Sequence, residues 1–237
     1  MGNEFESFSL THAVMLAIFA AGIPVVVALG RRVRDDPGRA RRTSRTYAVE
    51  LVAVTMTMQV VQLLPGQYDV DTSWPLNLCD FAWMVGAYAL WTFNQTAASL
   101  TYYWGLVLST QGLITPDLHA DVGSPKFLGF WLMHYLIVWS AIYLVWGLGI
   151  RPSWSAYRIV VAVTFGWLVA VYVFNVVADT NYGFVNDKPS GGSLLDLAGP
   201  WPIYILVEIV VVAGIWALMT WPWTSSRSGD PVAVPRV

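Results

Sequence analysis

The segment SWPLNLCD, residues 73 to 80, holds the chain's single cysteine, Cys79, beside Asp80 and two positions after Asn77. Pro75 stands just ahead, and a long apolar run follows. A proline directly before such a run marks a helix start. A thiol in the opening turn sits at the positively polarised end of the helix, where negative charge is favoured. That setting suits a nucleophile. A lone cysteine in a membrane helix also serves as a small packing residue. His134 falls about two turns into a later apolar run, where it can act as a base or as a hydrogen-bonded contact between helices. His12, His119 and His134 share no helical register with each other or with Cys79, so no metal-ligand spacing is present and no cofactor is expected. A single cysteine also rules out an intrachain disulfide.

The elements that must position these groups are membrane helices. Of the 237 residues, 56% are hydrophobic, 14% aromatic and 12% charged, about half the charge of an ordinary soluble domain. Mean hydropathy is +0.55. Crossing a bilayer core takes roughly 20 residues, and stretches of that size occur at 8–30, 46–64, 76–94, 98–115, 128–149, 158–178 and 203–222. The expectation is an all-α, polytopic protein with seven transmembrane helices in one domain, 1–224, and a disordered cytoplasmic tail, 225–237. Pro24 is expected to kink the first helix. Thirteen tryptophans and eleven tyrosines suit membrane interfaces. No internal repeat supports an inverted-repeat transporter, and the acidic MGNEFES start is unlike a signal peptide.

Orientation follows from the basic residues. The segment RRVRDDPGRARRTSR, 31–45, carries Arg31, Arg32, Arg34, Arg39, Arg41, Arg42 and Arg45. Placing it in the cytoplasm and alternating seven helices puts Arg151, Arg158, Arg227 and Arg236 on the same side, leaving Lys126 and Lys188 outside. The N-terminus is then outside and the C-terminus inside. The arginine segment is a topology determinant whose by-product is affinity for anionic lipid headgroups. Membrane lipids are the expected partners. The basic residues form one short segment without interleaved aromatics, so nucleic acid is not.

With that topology, polar side chains gather in the outer half. They are Asn77, Cys79 and Asp80 on helix three; Gln59, Gln62 and Thr55 on helix two; and Thr110 and Gln111 on helix four. Helix five adds His134, helix six adds Asn175 and Asp179, the next loop adds Asn181 and Tyr182, and helix seven adds Tyr204 and Glu208. Ionisable groups at such depths usually face a bundle interior or a wet cavity. The expectation is a polar pocket open to the outside, with the Gln and Thr stripe bonding between helices whatever the function.

PLNLCD, YYWGLVLSTQGLITPDL (102–118), His134 and NYGFVNDKPSGGSLLDLAGPWPIYI (181–205) together resemble the bacterial YwaF family of seven-helix integral membrane proteins. That resemblance implies the seven-helix fold and a bacterial inner membrane. The family is in turn distantly similar to a eukaryotic transmembrane family that includes a cysteine-dependent acyltransferase of ether phospholipids. This second similarity implies Cys79 as nucleophile and His134 as base. One departure stands out: the bacterial pattern reads Pro-Leu-His-Leu-Cys, and this chain has Asn77 in the histidine's place. Thiol-dependent acyl transfer on a membrane lipid is therefore the leading expectation. Binding or transport of a small solute by the same pocket, or service as an accessory subunit, are its competitors.

Overall fold

A computed structural model describes residues 4–189 and 194–225 of the chain. The expected tail, with Arg227 and Arg236, lies outside the described residues except for Ser225, which ends the last helix. The order is α1 (Leu10–Val33), α2 (Pro37–Gln62), α3 (Leu78–Thr92), α4 (Gln95–Tyr103), a π-helical segment (Trp104–Ser109), α5 (Thr110–Ile114), and α6 (Pro125–Ile142) with its π-helical extension (Tyr143–Gly147). Then come α7 (Trp154–Ala178), two short 3-10 turns (Tyr182–Phe184 and Leu194–Ala198) and α8 (Ile203–Ser225). Among the described residues there is no strand, only an isolated bridge between Glu4 and Asp121. The all-α expectation holds.

Four helical stretches are long and apolar enough to cross a bilayer: Leu10–Val33, Pro125–Gly147, Trp154–Ala178 and Ile203–Thr224. Their burial divides them sharply. The most apolar window of the Pro125–Gly147 helix is 67% buried, against 11%, 17% and 22% for the other three. Pro125–Gly147 is thus the central post, and the other three turn apolar faces outwards, as helices in lipid do.

Helix boundaries are set by caps, which hydropathy windows overlook. Asp36 accepts from the Arg39 backbone N–H at 3.0 Å, and Pro37 opens α2. The helix therefore begins nine residues before the expected Thr46, and most of the arginine segment is helical rather than a loop. Ser124 followed by Pro125 does the same for α6, and Ser153 for α7. Asn77 caps α3, and Phe93, in the left-handed region at φ 56°, ends it before Asn94 starts α4. The expected fourth helix is one rod broken by a π-helical turn, a feature frequent at functional sites. Pro24 lies inside an α1 that continues through it.

The packing fixes relative directions. Helix α1 runs alongside α6 in the same sense: Phe19 stacks on Trp139 at 6.2 Å, and further along Gly30 meets Gly147. Helix α2 runs the opposite way, with Tyr143 and Ser44 hydroxyls 2.9 Å apart near one end and Met58 against Gly129 near the other. Helix α3 opposes α2, so α3 and α6 are parallel.

Gly30 makes that close approach possible, since a Cβ on it would lie 2.5 Å from the Gly147 Cα. Backbone cannot yield as a side chain can. Gly30→Ala is expected to lower the thermal midpoint in detergent, by a loss of about 1–3 kcal/mol. Gly166→Ala on α7, where a Cβ meets nothing within 4 Å, should leave it unchanged or raise it, because alanine is the better helix former.

Candidate functional site

The sequence-selected polar residues separate into two groups. The first is a hydrogen-bonded knot at the end of the bundle where α3 begins and α7 ends. Asn175, 1% exposed, is its hub. Its Nδ2 donates to Tyr182 O and to Asn186 Oδ1, each at 3.0 Å. Its Oδ1 accepts from Thr180 Oγ1 at 3.0 Å and Tyr182 N at 2.9 Å. All four capacities of the amide are used, leaving none for a ligand. Asn181 uses three of its four: Nδ2 donates to Asp187 O, and Oδ1 accepts from the Asn186 and Asp187 backbone N–H groups.

Four further bonds carry the knot to other elements. Tyr182 donates to Val70 O at 2.6 Å and accepts from Trp74 N at 2.9 Å, tying the 180–187 segment to the α2–α3 loop. Burial pushes its phenol up to about 12, so it remains a donor throughout the physiological range. Tyr204 donates to Phe184 O at 2.6 Å, bringing in α8. Asn77 joins as well: its Oδ1 accepts from Gly183 N at 3.1 Å, while its own N–H donates to Asp80 Oδ2 at 3.0 Å. Asp80 thus completes the cap of α3. Gln59 donates to Ser73 O at 2.7 Å.

The stripe on α2 does not bond between helices as expected. Thr55 donates back to Leu51 O one turn earlier, Gln59 reaches a loop, and Gln62 is exposed. Asp179 is exposed in a left-handed C-cap of α7 at φ 55°. Glu208 is half-buried one turn beyond Tyr204, with no hydrogen-bond partner among the described residues. Gln111 is half-buried on α5.

The second group is small and different in kind. His134 is 3% exposed on α6, and its Nδ1 lies 2.8 Å from Phe130 O. A carbonyl can only accept, so Nδ1 carries the proton and Nε2 of the neutral ring is the free basic nitrogen. Nε2 has no hydrogen-bond partner among the described residues. It faces α5 at Gly112, where a Cβ would come within 2.9 Å of it. His12 makes the contrast plain. Its Nδ1 accepts from Phe8 N and its Nε2 donates to Leu113 O, both at 2.8 Å, so it is fully satisfied as a clasp between α1 and α5.

Cys79 is half-buried in the first turn of α3. The backbone position of Gly86 faces Ser140 on α6, with a Cβ there 3.3 Å from the hydroxyl. Seven residues back along α3 is Cys79, on the same face after two turns. Since α3 and α6 are parallel, Cys79 and His134 stand within about one turn of the same depth. No hydrogen bond joins them. Among the described residues no cluster of His, Cys, Asp and Glu has metal-binding geometry.

Sequence reasoning missed several participants. Ser73, 1% exposed, accepts from Asp69 N and donates to Gln62 O, organising the α2–α3 loop. Thr180 and Asn186 complete the knot. Gly112 sits in the quoted STQGL segment, but nothing in its spacing signalled that it faces a histidine.

Against known proteins, residues 7–220 match the model of the TMEM164 family. No curated protein and no solved structure matches the chain.

Proposed function

The chain belongs to the TMEM164 family of membrane proteins, and from that premise we propose that it is a lipid acyl-transfer enzyme with Cys79 as nucleophile and His134 as base. On this reading it is a seven-helix protein in a bacterial cell membrane, as its YwaF-like segments imply, with the N-terminus outside, as its arginine distribution implies. The observation that carries the reading is the state of His134: a buried imidazole whose tautomer is fixed by Phe130 O and whose Nε2 has no hydrogen-bond partner among the described residues. A histidine kept only for packing, as His12 shows, has both nitrogens satisfied.

The step balances without a cofactor. The Cys79 sulfur attacks the ester carbonyl of a lipid as its proton passes to His134 Nε2, since the thiolate is the reactive form. The C–O bond breaks, the proton returns to the departing alkoxide, and a thioester remains on Cys79. An acceptor lipid hydroxyl then gives its proton to Nε2 and takes the acyl group, restoring the thiol. Backbone N–H groups in the first turn of α3 are the groups suited to hold the oxyanion. Asn77 and Asp80 position that turn rather than take part in the chemistry.

The knot weighs against the solute-binding alternative. Asn175, Asn181, Tyr182 and Tyr204, which would have lined a pocket, spend their polar groups on one another and on the backbone.

A test short of removing either group is Gly112→Ala. An added Cβ falls 2.9 Å from Nε2, so the imidazole or the α5 backbone must shift, while the thiol and the imidazole are both retained as groups. Labelling of the purified protein by a lipid-like activated ester should fall about tenfold or more, with a drop in thermal midpoint no larger than that of Gly30→Ala, whose added Cβ meets backbone rather than a side chain. Unaltered labelling would separate Nε2 from the chemistry.

A further inference from the structure

The cationic end of the bundle carries a groove that the acyl-transfer site does not use. It measures about 550 Å³ and is lined by Gly38, Arg41, Arg42, Arg45, Thr46, Val49 and Glu50 of α2 and by Trp91 of α3. Trp91 lies twelve residues beyond Cys79 on α3, or about 18 Å along the axis. The two places are therefore at opposite ends of the same helix.

Three properties define what fits there. First, charge: three guanidinium groups against the single carboxylate of Glu50 leave the lining with a net positive charge of two. Arg34 and Arg39 nearby are paired with Asp35 and Asp36. Arg41, Arg42 and Arg45 have no carboxylate within ion-pair distance among the described residues. Arg45 instead lies over the Trp91 ring at 4.8 Å, a cation–π contact that holds the guanidinium at the groove wall.

Second, register: positions 38, 41, 42, 45, 46 and 49 recur at three- and four-residue spacing, so the arginines form one face of α2 rather than a ring around it. Third, polarity changes along the groove. Beyond the arginines that face continues as Val49, Val52, Met56 and Val60, and the facing surface of α3 runs Trp91, Tyr88 and Met84, all exposed. A cationic head region thus leads into an apolar track between two membrane helices. A free phosphate would use only the first part of that surface.

We infer that this groove is a binding site for an anionic phospholipid of the leaflet on the arginine side, its headgroup phosphate on Arg41, Arg42 and Arg45 and its acyl chain along the α2–α3 track. Guanidinium groups bind phosphate by paired N–H···O bonds, and an open lateral groove lets a lipid enter from the bilayer. The site is separate from the acyl-transfer reading and stands whether or not that holds.

The experiment is native mass spectrometry of the full chain released from mixed micelles of phosphatidylglycerol and phosphatidylcholine. Wild type should retain one phosphatidylglycerol in preference to phosphatidylcholine. The triple variant Arg41→Gln, Arg42→Gln, Arg45→Gln should weaken that retention by about a hundredfold, at roughly fivefold per cation. The matched control Arg32→Gln, Arg151→Gln, Arg158→Gln removes the same charge outside the groove and should change it less than about threefold. Arg45→Lys, which keeps charge but loses the planar fork, should give an intermediate loss. Equal loss in both triple variants would mean diffuse surface attraction and overturn the site. Displacement of the lipid by millimolar inorganic phosphate or glycerol phosphate would make a free phosphate the ligand and overturn the lipid assignment. A thermal midpoint equal to wild type verifies that each variant is folded; all the substituted arginines lie at the surface or half-buried.

Discussion

Cys79→Ala is expected to abolish covalent acyl labelling altogether, and His134→Gln to slow it by about 10² to 10⁴-fold, the usual contribution of a positioned general base. The two losses differ in kind. Without the sulfur no thioester can form, so mass spectrometry of Cys79→Ala after exposure to an activated lipid ester should show no adduct. Without Nε2 the thiol is still present, so adduct should accumulate slowly in His134→Gln, and faster as pH rises and the thiolate forms without help. Wild type should show much less of that dependence. Both changes are sterically mild, since alanine removes one atom from a half-buried site and glutamine is smaller than imidazole. Thermal unfolding then distinguishes chemistry from folding: midpoints near wild type with labelling lost is the expected pair of results. Full acyl transfer by Cys79→Ser would end the proposal, because a serine hydroxyl beside an unassisted histidine is a far weaker nucleophile.

Asn175→Ala should be the most damaging substitution for stability. It removes four hydrogen bonds and leaves Thr180 Oγ1, Tyr182 N and O and Asn186 Oδ1 without their partner in a buried setting. Each stranded buried group costs about 1–3 kcal/mol, so a total loss above about 3 kcal/mol is expected even after relaxation. The damage should also travel. Tyr182 links the knot to Val70 and Trp74, and Gly183 links it to Asn77 at the start of α3. Hydrogen exchange should therefore rise both at 180–187 and at 68–77, segments more than a hundred residues apart in sequence. Faster exchange confined to 180–187 would show that the two loops are held independently. Asn175→Asp, which keeps the two accepted bonds and loses the two donated ones, should fall between alanine and wild type. Because the knot supports the turn that carries Cys79, a partial loss of labelling should accompany the loss of stability in both variants.

The relation between residues and structure differs from one element to the next. The runs at 8–30, 128–149, 158–178 and 203–222 were legible as bilayer-crossing helices because apolar length alone sets that property. The start of α2 was legible in principle, since Asp36-Pro37 is a strong helix opening; hydropathy set the expected boundary at Thr46 because arginine lowers it without breaking a helix. Cys79, Asn77 and Asp80 were placed correctly at the opening of α3 by Pro75 and the run behind it.

Partners were another matter. Asn175 and Asp179, four apart on one helix, were expected to act alike; one is the buried hub of a knot and the other an exposed cap. Burial depends on which neighbour covers each face, and spacing within a helix says nothing about neighbours. His12 and His134 pose the same problem. Both are histidines near the same end of apolar helices, yet one has two hydrogen-bond partners and the other has one. Leu113 and Gly112, adjacent in sequence, make the difference: the first offers a carbonyl to His12, while the second, having no side chain, lets the His134 ring pack close without giving it a hydrogen bond.

The sequence by itself determined that this chain is a membrane protein, where its long apolar helices fall, and which thiol stands at a helix start, because these rest on local composition and chain order. Only the tertiary structure decided which polar groups are spent and which are free. Hydrogen bonding in an apolar bundle is a matter of a few ångströms between elements far apart in sequence, and no spacing along one helix encodes that distance.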